Sequence, residues 1–147
     1  MNIASRQSMV VVSISYHLGA LGWLTNPSRE NSTGTNQAMR DQIMALQWVQ
    51  DHISAYGGDP NQVTILGHPA DGSSAMSHIQ SPAPKGLFKH VWVESGNTLS
   101  GWQTPSMMKT LSEILLDISG CLGYGCVKHN LTSAQMIKYQ DRLSMRA

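Results

Sequence analysis

The sequence predicts an α/β protein with about three parallel strands and flanking helices. Three apolar runs, over residues 9–16, 63–66 and 88–94, have the length and composition of buried strands. Segments whose apolar residues recur at steps of three and four lie between and after these runs, and this spacing indicates helices. Alternation of strand and helix is typical of a parallel sheet with right-handed crossovers.

The strongest helical pattern follows Asn36, a candidate N-cap, and stops at Gly57-Gly58, where the glycines favour a helix end. A shorter helix is predicted over residues 73–80, before Pro82. The apolar stripe of the long helix comprises Met39, Ile43, Leu46, Val49, Ile53 and Tyr56.

Two further helices are predicted in the last third of the chain. The first opens at Thr104-Pro105, because proline suits the first helical position, and ends at Gly120. The second starts at the capping box Thr132–Gln135, with Leu131 and Met136 placed as a hydrophobic staple.

Composition and charge exclude several classes of protein. At 147 residues and 41% apolar, the chain has the length and core of one globular domain and not the composition of a disordered protein. Its net charge is +1 without a basic cluster, so we expect no nucleic-acid partner. The apolar run Met9–Val12 is too short for a membrane span, and residues 1–8 do not resemble a signal peptide.

The charged residues make up 13% of the chain, against roughly 25% in ordinary soluble domains. A chain with so few charges cannot cover its surface with them. We therefore expect part of its surface to be buried against another element or protein, whose identity the sequence leaves open.

Two cysteines and two glycosylation motifs bear on whether the protein is secreted. The spacing of Cys121 and Cys126 fits no zinc or redox motif, so they are either two unpaired thiols or a disulfide of a secreted protein. Asn31 and Asn130 each begin an Asn-x-Ser/Thr motif and are candidate glycosylation sites. The localisation stays open.

The segment Gly67–Gly72 follows the second predicted strand and precedes a helix, which is the setting of a nucleophile elbow, Gly-x-Ser-x-Gly. In such a turn the serine takes a positive φ that raises its hydroxyl above the sheet. The flanking glycines let strand and helix pass closely, and the amide after the serine faces the oxyanion hole.

Longer phrases along the chain come in the order of one family. They are Val10–Tyr16, Leu18–Gly22, Asp41-Gln42, Ala45–Asp51, Gly57–Gly67, Ser81-Pro82, Lys85–Phe88 and Glu94–Gly96. By these phrases the sequence resembles the carboxylesterase/cholinesterase family (type B carboxylesterases) of α/β-hydrolases. The resemblance implies that residues 1–147 form a partial carboxylesterase type B domain, a fragment of an α/β-hydrolase fold. It also implies carboxylic esters as family substrates, with no cofactor and no metal ion.

The elbow departs from the family pattern Gly-Glu-Ser-Ala-Gly-Gly, because it reads Gly67-His-Pro-Ala-Asp-Gly72. Pro69 stands at the nucleophile position, has no hydroxyl, and has a ring that holds φ near −65°. Asp71 adds a side chain where the family has glycine. Gly67 and Gly72 are elbow remnants, and the amide of Ala70 is a vestige of the oxyanion hole.

We therefore expect no catalytic residue in this chain and no esterase activity. By the same resemblance, the glycine-rich oxyanion segment lies upstream of residue 1, and the triad acid and histidine lie downstream of residue 147. The alternatives are a non-catalytic binding or adhesion-type member of the fold, and a residual hydrolase that uses His68 or Asp71. Ser73 and Ser74 are expected inside the next helix, off the elbow.

Overall fold

The computed structural model describes residues 4, 8–25, 36–96 and 102–144. The chain divides into two compact units, each made of two stretches: Met1–Ser15 with Arg40–Trp102, and Tyr16–Met39 with Gln103–Ala147. In its described residues the first unit holds a small parallel sheet, and the second is built from helices.

The regular elements are as follows in chain order. They are helices α1 (Gly19–Trp23) and α2 (Gln37–His52), two short 3-10 helices (Ile53–Tyr56 and Pro60–Gln62), strand β1 (Thr64–Gly67), helix α3 (Ala70–Gln80), strand β2 (His90–Val93), and helices α4 (Pro105–Ser119), α5 (Tyr124–Asn130) and α6 (Ser133–Ser144).

Helix α2 begins directly after Asn36 and ends near the predicted glycine pair. Gly57 adopts a left-handed φ of 80°, and its N–H donates to the carbonyl oxygen of Ser54. On the predicted stripe Val49 and Ile53 are buried, but Tyr56 is 64% exposed. Tyr56 lies in the 3-10 helix after α2, whose tighter winding rotates it away from the stripe.

Strands β1 and β2 form a two-stranded parallel sheet with Ile65 opposite Val91 and Gly67 opposite Val93. Helix α3 packs against both strands, as a right-handed crossover layer would. The side chains of Leu66 and Trp92 are paired on the opposite face and are 65% and 63% exposed. Two of the predicted strands are therefore present, with one apolar face of the sheet open to solvent.

The predicted strand over residues 9–16 is wrong, because this segment has no regular secondary structure. Its large apolar side chains are 41–55% exposed instead of buried: Met9, Val10, Val11, Val12 and Ile14. A strand needs a neighbour that pairs its backbone N–H and C=O groups. Among the described residues β1 and β2 pair only with each other, so the sheet has two strands and not three.

In the second unit α4 and α6 follow their predicted signals. The side chain of Thr104 caps α4 by accepting from the backbone N–H of Met107, at 3.3 Å, and the left-handed Gly120 ends the helix. The capping box of α6 has both of its hydrogen bonds. The N–H of Thr132 donates to Gln135 Oε1 at 2.8 Å, and the N–H of Gln135 donates to Thr132 Oγ1 at 3.3 Å.

The core of the second unit gathers around Leu115, which is 1% exposed, and around Met136 at the start of α6. Leu131 packs against this core beside Met136, as the predicted staple requires. Cys121 and Cys126 also belong to it and are joined by a disulfide with their Cα atoms 5.5 Å apart. The short helices α1 and α5 carry no periodic signal in the sequence, since five and seven residues are too few to show helical periodicity.

Candidate functional site

The turn from β1 into α3 is shorter than predicted. We expected the helix to begin at Ser73, but α3 begins at Ala70, directly after Pro69. Pro69 has φ −61° and ψ −39°, which is right-handed helical backbone, and its ring favours this φ. The helix therefore starts three residues earlier than predicted, with Pro69 as its N-cap residue.

The first hydrogen bonds of α3 hold residue 69 in helical backbone. The carbonyl oxygen of Pro69 accepts from the backbone N–H of Ser73 at 3.1 Å and from its hydroxyl at 3.4 Å. Residue 69 thus belongs to the helical ladder, with negative φ. Ser73 and Ser74 lie within α3 as predicted, and Ser74 is buried.

Three glycines let backbones meet at the carboxyl ends of the two strands. A Cβ on Gly67 would overlap the backbone of Asp71. A Cβ on Gly72 would lie 3.0 Å from Val93 Cγ1, and one on Gly96 would lie 2.6 Å from the carbonyl carbon of Gly72. The close passage of strand and helix that an elbow requires is therefore present around Pro69.

The same contact shapes the end of β2. The N–H of Glu94 donates to the carbonyl oxygen of Gly67 at 2.9 Å, which extends the ladder by one residue. Ser95 then takes a left-handed φ of 59°, rare for a non-glycine residue, and turns the chain so that Gly96 reaches Gly72. This backbone feature gave no signal in the sequence.

His68 and Asp71 are both exposed. Asp71 stands in the first turn of α3, where a negative charge stabilises the helix through its dipole. The backbone of Asp71 lies against Gly67.

A buried polar pair links α3 to α2 and was missed by the sequence analysis. His78 Nε2 and Gln42 Oε1 lie 2.8 Å apart, and the two residues are 3% and 5% exposed. Since the amide oxygen accepts, Nε2 carries the hydrogen and Nδ1 is a bare acceptor without a hydrogen-bond partner among the described residues. Burial lowers the pKa of His78 below 6.5, so the ring is neutral at pH 7.

Comparison with known proteins identifies the family of this chain. The profile of the carboxylesterase family matches residues 1–146. The chain belongs to the carboxylesterase family. The resemblance drawn from the sequence phrases is therefore confirmed, and so is the α/β-hydrolase fold class.

Several carboxylesterase relatives are well matched in sequence. The chain is 36% identical over 119 residues to Esterase E4 of Myzus persicae, which covers 81% of this chain and 21% of that protein. It is 40% identical over 119 residues to an acylcarnitine hydrolase of Rattus norvegicus, again over 81% and 21%. The chain thus spans about a fifth of the length of these relatives.

Solved carboxylesterase structures share its backbone. A carboxylesterase of Geobacillus stearothermophilus superposes with a TM-score of 0.89 at 26% identity, over 96% of this chain and 30% of that one. A thermophilic pNB esterase gives a TM-score of 0.81 at 32% identity, over 89% and 27%.

The other candidate residues lie apart from the elbow in the chain. Asn31 lies outside the described residues, whereas Asn130 is exposed at the last residue of α5. An open cavity of about 260 Å³ is lined by residues of the second unit, and none of them belongs to the elbow. They are Ala20, Leu21, Leu24, Gln37, Val127, Leu131, Ser133 and Met136.

Within the described part of the chain no three histidine, cysteine or acidic residues are placed to hold a metal ion. None of the described helices combines the length and apolarity that crossing a bilayer would take.

The glycine contact predicts a steric cost at Gly96. Gly96→Ala should lower the free energy of unfolding by about 1–3 kcal/mol, because the new Cβ meets backbone that cannot rotate away. The matched control is Gly125→Ala in α5, where nothing lies within 4 Å and alanine favours the helix. Urea denaturation followed by circular dichroism measures both, and a Gly96→Ala chain as stable as the wild type would contradict the contact.

The buried histidine predicts a loss of stability in mild acid. The unfolded chain takes up a proton at His78 near pH 6.5, whereas the folded chain does so only at lower pH. The contribution of His78 to stability is therefore complete well above pH 6.5. It falls as the pH drops from 6.5 towards the lowered pKa, by at most about 1.4 kcal/mol per pH unit, and levels off below that pKa.

Urea denaturation of the wild type and of His78→Gln, between about pH 7.5 and about pH 5, tests this. His78→Gln should flatten the pH dependence, while His52→Gln, at an exposed histidine, should keep it. Equal slopes for the wild type and His78→Gln would show that His78 does not cause the loss.

Proposed function

We propose that this protein is a carboxylesterase-family member whose turn Gly67–Gly72 does not hydrolyse esters. The observation that carries the proposal is the helical backbone of Pro69, with φ −61° and ψ −39°, at the position of the family's serine nucleophile. We therefore infer that the activities for which these relatives are named, such as esterase and acylcarnitine hydrolase, do not transfer to this turn.

The loss concerns both the side chain and the backbone of residue 69. Ester hydrolysis by this fold needs a hydroxyl that attacks the carbonyl carbon and a positive φ that lifts the hydroxyl above the sheet. Proline supplies neither. In addition, its carbonyl oxygen is the first acceptor of α3, so a positive φ would disturb the start of the helix.

Neighbouring groups are poorly placed to replace the serine. The hydroxyl of Ser73 already donates to the carbonyl of Pro69, and Ser74 is buried inside α3. His68 and Asp71 are exposed to water, which weakens any electrostatic activation between them. These observations argue against the residual hydrolase that uses His68 or Asp71.

The oxyanion side of the site is better preserved than the nucleophile. Ala70 is the first residue of α3, and the first amides of a helix have no acceptor within the helix. The backbone N–H of Ala70 is thus in a position typical of anion binding. We infer that the turn can still polarise an oxygen but has no group to attack beside it.

A pair of variants separates the hydroxyl from the backbone. Pro69→Ser supplies the missing hydroxyl, and Pro69→Ala is its control, with the same gain in backbone freedom and no hydroxyl. We expect neither variant to hydrolyse p-nitrophenyl acetate faster than the wild type. The reason is that residue 69 stays in the helical ladder, and positive φ costs a non-glycine residue about 1–2 kcal/mol.

The rates are compared with that of the heat-denatured chain at the same concentration. Saturable hydrolysis by the wild type would overturn the proposal. Hydrolysis by Pro69→Ser but not by Pro69→Ala would leave the wild-type turn inactive and would contradict the part of the proposal that rests on the backbone of residue 69. The first result would point to another nucleophile, and the second to an elbow that needs only its serine.

A further inference from the structure

The second unit carries a glycosylation motif in an accessible position. Asn130, Leu131 and Thr132 follow the pattern Asn-x-Thr, and Asn130 is the exposed last residue of α5. Leu131 is extended, with φ −105° and ψ 134°, and its side chain packs on the core around Leu115 and Met136. The middle residue is thus anchored, while Asn130 and Thr132 on either side of it are exposed.

A second feature of the same region, a disulfide, is typical of the secretory pathway, where N-glycosylation also takes place. The disulfide between Cys121 and Cys126 lies just before this motif, and Cys121 is 6% exposed within the core. Disulfides form and persist in the secretory pathway and outside the cell, and are rare in the cytosol. Glycosylation of asparagine in Asn-x-Ser/Thr is a modification of secreted proteins. Residues 121–132 therefore combine two features that are independent in chemistry and share one compartment.

We propose that Asn130 is an N-glycosylation site. In the reaction Asn130 Nδ2 attacks C1 of the first sugar of a polyprenyl-pyrophosphate-linked oligosaccharide. The new N–C1 bond replaces the C1–O bond, the polyprenyl pyrophosphate leaves, and Nδ2 loses one proton. No oxidant or reductant takes part.

A glycan here would supply polar surface where the chain has little. Charged residues are 13% of the sequence, and the second unit exposes Leu122 fully and Ile137 by 51%. An oligosaccharide is bulky and strongly hydrated, so it raises solubility at the surface that carries it. We therefore expect the glycosylated chain to stay soluble at concentrations where the unmodified chain aggregates.

Thr132 also has a purely structural role, and the test has to separate the two. It caps α6 by accepting from the N–H of Gln135, so threonine at this position is explained without a glycan. Aspartate caps a helix equally well but ends the glycosylation motif. Serine preserves both the cap and the motif.

The experiment translates the full chain, targeted by a cleavable leader, in the presence of endoplasmic-reticulum microsomes. All chains carry Asn31→Gln, so that only the motif at Asn130 remains. We expect one shift in mass that a peptide N-glycanase reverses. The enzyme converts the modified asparagine to aspartate, which peptide mapping should find at position 130.

The variants assign the shift to the site. Thr132→Ser should keep it, whereas Asn130→Gln and Thr132→Asp should each abolish it. A chain that gains no glycan while a control glycoprotein in the same reaction does would overturn the proposal. A glycan that survives Asn130→Gln and Thr132→Asp would also overturn it. Neither result depends on Pro69, so a failure of the glycosylation proposal would leave the proposed function unaffected.

Discussion

Strand β1, helix α3 and the end of β2 approach one another closely at three glycines. Gly67 lies against the backbone of Asp71 and Gly96 lies against the backbone of Gly72, each so closely that a Cβ on Gly67 or Gly96 would overlap it. The left-handed Ser95 and the hydrogen bond from Glu94 to Gly67 hold the end of β2 in this contact. The direction in which α3 leaves the sheet depends on this constraint, and so does the place of residue 69.

The residues that pack this turn are different from the residue that would carry the nucleophile, so one can change without the other. Glycines at 67, 72 and 96 serve the packing of the first unit and would be needed whether or not a nucleophile stood between them. Residue 69 touches none of these contacts, so proline fits there and even favours the helical start of α3. The part of the family fold that this chain spans can thus be retained, with TM-scores of 0.81 to 0.89 to solved esterases, and we propose that the nucleophile has been lost from it.

Local signals were read correctly from the sequence, whereas features that depend on distant residues were not. Thr104, Gly120 and the box at Thr132 act on their nearest neighbours, so they fixed the ends of α4 and the start of α6. The run over residues 9–16 has the composition of a strand, but composition cannot supply a pairing partner. The His78–Gln42 pair joins residues 36 positions apart and left no pattern. At the elbow, the missing serine was visible in the sequence, but the early start of α3 was not.

The activity of the turn can be tested by covalent labelling of the wild-type chain with a fluorophosphonate, followed by mapping of the adduct by mass spectrometry. The reagent reacts readily with a serine whose hydroxyl is activated by its surroundings and whose oxyanion site is formed. Our account predicts no adduct at any residue from 67 to 74, at reagent concentrations that label an intact serine esterase fully. A stoichiometric adduct on Ser73 or Ser74, lost on heat denaturation, would show that the turn still holds a working nucleophile and would contradict the account.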